Sequence, residues 1–230
     1  MLYYLLFPLK DTFFGFNVFS YISFRGAGAA ITALLISFLI GPKIIRTLSF
    51  YQIGETIRKT GPESHLKKEG TPTMGGIIVL LAIILPTILW SKIDNLYVIM
   101  ILISTIWMGI IGFIDDYRKV ILRDAKGLRA RYKFPLQLAV ATFTAFLVFD
   151  WVGLSHELTV PFFKLAQFEL GWWYLPFAVC VIVGSSNAVN LTDGLDGLVS
   201  MPSIVAFGAY CFLAYVADFY WVPLLEAQKP

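Results

Sequence analysis

The chain has 230 residues, 58% of them hydrophobic and 14% charged, with a mean hydropathy of +0.75. A soluble domain carries about 25% charged residues, so the composition excludes an ordinary water-soluble domain and points to one integral membrane domain over residues 1–230. The net charge of +3 says little as a total, its distribution says more, and no nucleic acid partner is expected.

The first nine residues, Met1-Leu-Tyr-Tyr-Leu-Leu-Phe-Pro-Leu9, lack a basic start and a small-residue cleavage site. They are too short to span and read as an interfacial segment. Six apolar segments follow that are long enough to cross, at Ile22–Gly41, Met74–Trp90, Leu96–Ile114, Phe134–Trp151, Trp172–Val189 and Leu198–Val216. The expected fold is therefore all-α, a polytopic transmembrane helical bundle of about six spans. Pro86, Pro176 and Pro202 fall inside these segments, which membrane helices tolerate when neighbours satisfy the freed carbonyls. Cys180 and Cys211 lie in apolar runs and read as small hydrophobes, with no metal or disulfide spacing.

Charge sets the orientation. Lys43, Arg46, Arg58, Lys59, Lys67 and Lys68 lie between spans one and two. Arg118, Lys119, Arg123, Lys126, Arg129, Arg131 and Lys133 lie between spans three and four. The links after spans two and four hold only Lys92 and Lys164. The positive-inside rule then puts loops 42–73, 115–133 and 190–197 in the cytoplasm and both chain ends outside. Trp90, Trp151, Trp172, Trp173 and Trp221 all fall at the outer edge of that arrangement, as an interfacial belt would; Trp107 does not.

Two acidic clusters then share the cytoplasmic side. Asp115 and Asp116 follow span three, and Asn190, Asp193 and Asp196 follow span five. An Asp at the centre of a membrane helix costs roughly 2.5–3.5 kcal/mol, and a carboxylate at a helix C-terminus opposes the dipole. Such residues are placed there for a reason or pushed to the interface. Neighbouring side chains on a helix diverge by about 100°, so Asp115 and Asp116 cannot grip one ion as a pair unless the helix ends there. One could hold metal while the other handles substrate. The plainer reading is a solvated helix end neutralised by Arg118 and Lys119.

The run Asn190-Leu-Thr-Asp193-Gly194-Leu-Asp196-Gly197 is the sharper signal. It offers acceptors, amide donors and glycine-exposed backbone in eight residues, more than a polar turn needs. A third stretch, Pro62 to Gly76, brings His65, Lys68 and Thr73 to the start of span two. A helix N-terminus there suits an anion, though a Thr-Pro turn and close Gly-Gly packing also explain it.

Four strings together resemble phospho-N-acetylmuramoyl-pentapeptide-transferases of the polyprenyl-phosphate N-acetylhexosamine-1-phosphate transferase superfamily. They are Gly61-Pro-Glu-Ser-His65, Lys68-Glu-Gly-Thr71-Pro-Thr-Met-Gly-Gly76, Gly112-Phe-Ile-Asp115-Asp116-Tyr-Arg-Lys119 and Gly184-Ser-Ser-Asn187-Ala-Val-Asn190-Leu-Thr-Asp-Gly-Leu-Asp-Gly197. The resemblance implies a Mg²⁺-dependent enzyme of the bacterial cytoplasmic (inner) membrane, its active-site face cytoplasmic. Its substrates would be undecaprenyl phosphate and UDP-N-acetylmuramoyl-pentapeptide, its products lipid I and UMP for peptidoglycan synthesis. It further implies Asp115 and Asp116 as catalytic carboxylates, with Mg²⁺ held among Asp115, Asp116 and Asp193. Substrate contacts fall to His65, Lys68, Thr73, Lys119, Asn190, Asp193, Gly194 and Asp196, and a homodimer is allowed. The family has about ten spans, with a third catalytic Asp and a histidine-rich loop beyond the sixth. Neither occurs before Pro230, so the chain is expected to be the N-terminal portion of a longer transferase and inactive alone.

Two other readings remain open at this stage. One is a sister enzyme passing N-acetylglucosamine-1-phosphate to the same lipid. The other is a small ion-coupled transporter, which would call for Asp or Glu at mid-span. The topology has its own test: in intact cells, an impermeant thiol reagent should fail to label Lys126→Cys from outside. Labelling would invert the arrangement.

Overall fold

The computed structural model describes residues 1–50, 74–122, 124, 127–151, 157–159, 167–192 and 198–216. In chain order it contains α1 (Leu2–Leu6), two 3-10 turns (Phe7–Asp11, Phe14–Ser20), α2 (Ile22–Phe50), α3 (Gly76–Trp90) and α4 (Leu96–Val120). Next come α5 (Ala130–Phe146) with a π turn at Leu147–Trp151, strands β1 (Glu157–Thr159) and β2 (Gln167–Glu169), α6 (Tyr174–Thr192) and α7 (Ser200–Val216). The chain divides into two units, Met1–Val179 and Cys180–Pro230.

All six expected spans coincide with helices. The helical stretches around α2, α4, α5 and α6 are long and apolar enough to cross a membrane; α3 and α7, at 15 and 17 residues, are apolar but shorter. A helix of 15 residues rises about 22 Å against a hydrocarbon core of about 30 Å. The protein is a multi-pass membrane protein. Among the described residues no Asp or Glu stands at the middle of any of these helices, where an ion-coupled transporter would need one; the two that α4 contains, Asp115 and Asp116, fall in its last two turns.

The helices extend further into polar sequence than hydropathy indicates. α2 continues through Pro42 to Phe50, α4 runs six residues past Ile114, and α5 starts at Ala130 rather than Phe134. The expected loop 115–133 therefore shrinks to residues 121–129. A hydropathy window ends where charge begins, whereas a helix ends only where its backbone bonds do. Pro176 and Pro202 prove to be third residues of α6 and α7. In a first turn the missing N–H is no loss.

Small residues govern how the first unit packs. α2 and α3 lie antiparallel. At one end a Cβ on Gly28 would come 2.5 Å from the Trp90 indole; at the other, a Cβ on Gly41 would sit 3.7 Å from Ile78. The Trp90 Nε1–H donates to Thr32 Oγ1 at 2.9 Å, and that hydroxyl donates to the Gly28 carbonyl at 2.7 Å. Without a hydrophobic drive between helices in lipid, close backbone approach and such polar bridges hold them together. Phe19 stacks on Trp90 and Phe24 meets it edge-on, closing the same end.

α4 and α5 also run antiparallel, joined by the Ser104 and Thr144 hydroxyls at 2.8 Å. Val140, Ala141 and Ala145 of α5 are the most buried apolar side chains, with Ala141 at 0% exposure. Elsewhere large apolar residues face outward, as lipid-facing helices require.

One element is absent from the sequence reading. β1 and β2 form an antiparallel ribbon in the register Glu157↔Glu169, Leu158↔Phe168, Thr159↔Gln167. Strands of three residues are too short to carry a period-2 pattern. The tryptophan belt agrees with the helix ends: Trp90 closes α3, Trp151 ends the π turn, and Trp172 and Trp173, at 74% and 75% exposure, lie in the 3-10 turn just before α6. Trp221 lies outside the described residues.

Candidate active site at the carboxyl end of α4

α4 delivers the acidic pair on its last two turns, where the helix is still intact. Asp115 faces inward at 7% exposure, and Asp116, about 100° further round, is half-buried. The pair does not converge.

Asp115 is answered from three directions. Lys119, one turn on, places Nζ 2.8 Å from Oδ2. Lys133, from the first turn of α5, places its Nζ 3.6 Å from the same oxygen. The Leu128 backbone N–H donates to Oδ1 at 2.7 Å. Two ammonium groups and an amide stabilise the ionised carboxylate in a place where water cannot.

The loop between α4 and α5 is shaped around this contact. Gly127 has φ +57°, and a Cβ there would lie 2.5 Å from Asp115 Oδ1 and 2.7 Å from Lys119 Cε. Only glycine accepts both the left-handed backbone and the proximity. Arg118 pairs at 3.1 Å with Asp124, whose backbone N–H donates to the Arg118 carbonyl. The Arg118 Nε is buried with no acceptor among the described residues, which leaves a cationic donor facing the loop.

The plainer reading of a solvated helix end is thus half right. Lys119 does neutralise Asp115, but Arg118 serves Asp124, and Asp115 is buried. Lys133, Leu128 and Gly127 were missed because Lys133 reads as topological charge and an amide has no sequence signature. The Asp115–Lys119 spacing of four was the available signal.

Of the remaining expected site residues, Asn190 is exposed on the last turn of α6, in the second unit. There Asn187 Nδ2 donates to the Val183 carbonyl and Thr192 Oγ1 to that of Ala188. His65, Lys68, Thr73, Asp193, Gly194 and Asp196 lie outside the described residues. Just after Thr73, buried Met74 adopts φ 69°, the one non-glycine with positive φ among the described residues. Such strain before the Gly75-Gly76 entry to α3 is of the kind that functional sites hold. Among the described residues no three His, Cys, Asp or Glu side chains gather around one point.

A family model described as "Glycosyl transferase family 4" matches residues 98–226, more than half of the chain. The chain belongs to glycosyl transferase family 4. A second model, "Phospho-N-acetylmuramoyl-pentapeptide-transferase signature 1", matches residues 68–80, which include Lys68, Thr73 and Met74. Curated relatives carry the same name. The chain is 48% identical over 217 residues to the phospho-N-acetylmuramoyl-pentapeptide-transferase of Desulfotalea psychrophila, covering 94% of this chain and 60% of that protein. It is 47% identical over 217 residues to those of Citrifermentans bemidjiense and Geobacter sp., covering 94% of this chain and 61% of each. The chain thus spans about three fifths of the length of these relatives.

The loop geometry yields a stability prediction. Gly127→Ala should cost about 1–2 kcal/mol from the left-handed backbone alone, and more from the Asp115 contact. Gly112→Ala, one turn before Asp115 with open space at its Cβ, should not destabilise. Thermal unfolding in detergent checks this, and equal midpoints for the two variants would refute the assignment.

Proposed function

We propose that the full-length protein transfers phospho-N-acetylmuramoyl-pentapeptide from UDP to undecaprenyl phosphate, giving lipid I and UMP at the cytoplasmic face of the bacterial inner membrane. The observation that carries this reading is near-half identity, over 94% of the chain, to relatives named for that transfer. The Lys/Arg bias supports the orientation, since it puts the end of α4 that bears Asp115 and Asp116 on the cytoplasmic side.

In this reaction an oxygen of the lipid phosphate bonds to the β-phosphorus of the donor. The anhydride bond to the α-phosphate breaks, and UMP leaves with the bridging oxygen. Positioning and charge stabilisation do most of such work. Two unit charges 4 Å apart repel by about 4 kcal/mol at an effective dielectric of 20, so several cations must gather. Lys119 and Lys133 supply two at Asp115, and Arg118, paired with Asp124, adds a third on the last turn of α4. Asp115 holds Lys119, Lys133 and the loop in place, which makes it the positioning carboxylate. Asp116, half-buried on the neighbouring face, is the one presented to substrate or metal.

Mg²⁺ takes oxygen ligands and keeps much of its water, binding through one or two carboxylates plus phosphate oxygens. Asp116 fits that chemistry better than Asp115, whose Oδ2 already meets two ammonium groups. Asp193 is the second carboxylate we assign to the ion. When bound, Mg²⁺ would neutralise diphosphate charge. Asn190, Asp193, Gly194 and Asp196 would contact the nucleotide and diphosphate, with His65, Lys68 and Thr73 on the donor's uridine-diphosphate side.

The test uses the full-length enzyme with Mg²⁺ and both substrates. Asp115→Asn, Asp116→Asn and Asp193→Asn should each lower kcat about 10²-fold or more while changing KM little. Near-normal turnover in all three would overturn the site, and preference for UDP-N-acetylglucosamine would overturn the donor.

A further inference from the structure

The end of the first unit opposite Asp115 carries a second concentration of charge that the transfer reaction does not use. α4 rises about 37 Å over its length, so Lys92, just before its start, lies a membrane thickness from the acidic pair. Among the described residues the side-chain cations at this end are Lys10, Arg25 and Lys92, which gather on one aromatic stack, while the Met1 ammonium donates to the Ile88 and Leu89 carbonyls at 2.8 and 3.0 Å. Arg25 Cζ lies 5.2 Å and Lys92 Nζ 4.5 Å from the centroid of the same Tyr3 ring. Tyr3 stacks on Phe7 with centroids 5.0 Å apart, and Lys10 Nζ stands 4.7 Å from Phe7.

These cations are poorly answered by protein. Arg25 donates to the Phe19 and Ser20 carbonyls, at 2.8 and 3.1 Å, which fixes it in place without neutralising it. Lys10 and Lys92 have no carboxylate partner among the described residues. Two acids are near in sequence. Asp94 is taken by the Tyr4 hydroxyl, which also accepts the Asp94 N–H, and Asp11 is exposed beside Lys10. Topology does not explain the cations either, because the Lys/Arg bias concentrates basic residues at the other end.

Beside the stack opens an apolar cavity of about 610 Å³, lined by Met1, Leu2, Tyr4, Leu5 and Ile93. Tyr4, which lines the cavity, meets the Tyr3 ring edge-on with centroids 5.3 Å apart, so the cavity adjoins the stack that the cations cover. A ligand matching both halves has an anionic head and an apolar tail. A soluble anion would leave the cavity unused, and a zwitterionic head would bring its own ammonium against two lysines.

We propose that Tyr3, Phe7, Lys10, Arg25 and Lys92, with the cavity beside them, form a binding site for an anionic diacyl phospholipid of the phosphatidylglycerol type. The phosphodiester sits among the cations and an acyl chain enters the cavity. Lys10 and Lys92 supply charge, while Arg25 is held by its carbonyl bonds as a fixed donor.

Native mass spectrometry of the protein released from nanodiscs of mixed phosphatidylglycerol and phosphatidylcholine tests this. The parent should retain phosphatidylglycerol several-fold over phosphatidylcholine. Lys10→Gln with Lys92→Gln should bring that preference close to unity, whereas Lys43→Gln with Arg46→Gln, an equal charge loss on α2, should leave it intact. The single variant Lys10→Gln, at an exposed side chain, should lower the preference part-way and guards against a folding defect. Equal retention of the two lipids by the parent, or an unchanged preference in the Lys10/Lys92 variant, would overturn the proposal. Displacement of the lipid by glycerol phosphate would assign the cations to a soluble anion and overturn it too.

Discussion

A carboxylate with almost no access to water must find its donors in the protein, and Asp115 finds them on three separate stretches of chain. Lys119 comes from its own helix, Lys133 from the next, and the Leu128 amide from the loop between. One side chain therefore ties the start of α5 to the end of α4 and holds residues 127–128 between them. The cost of burying the charge is offset only while all three partners are present, since losing a partner would leave a charge uncompensated in a low-dielectric place. Gly127 follows from the same constraint, because any Cβ would stand where the carboxylate does.

This arrangement separates two carboxylates that the sequence presents as equals. Adjacent positions on a continuing helix point about 100° apart, so Asp115 is buried against the loop while Asp116, half-buried, lies on a different face. Lys119 and Lys133 both meet that one fixed carboxylate, so the trio keeps one net positive charge at this end of α4.

Much of the architecture was legible in the residues. Apolar runs located the helices because a span must satisfy its backbone internally and clothe itself in hydrocarbon. What hydropathy could not see was helix continuing through charged sequence, as at Pro42–Phe50 and Asp115–Val120, or the short β1–β2 ribbon. At the site, the acid pair and Lys119 were readable from spacing. Lys133 was not, because its role depends on α5 returning beside α4, and Leu128 acts through a backbone atom that every residue has. Glycosyl transferase family 4 membership agrees with the motif reading; the packing adds which neighbour each charge keeps.

The central claim is that the Asp115 carboxylate holds the loop through the Leu128 amide, and amide hydrogen exchange observes that bond directly. In detergent-solubilised protein at neutral pH, the Leu128 N–H should exchange slowly. Asp115→Ala should speed it markedly, while amides in the middle of α2 remain unchanged. Exchange at Leu128 that is fast in the parent, or equally slow in the variant, would contradict the account.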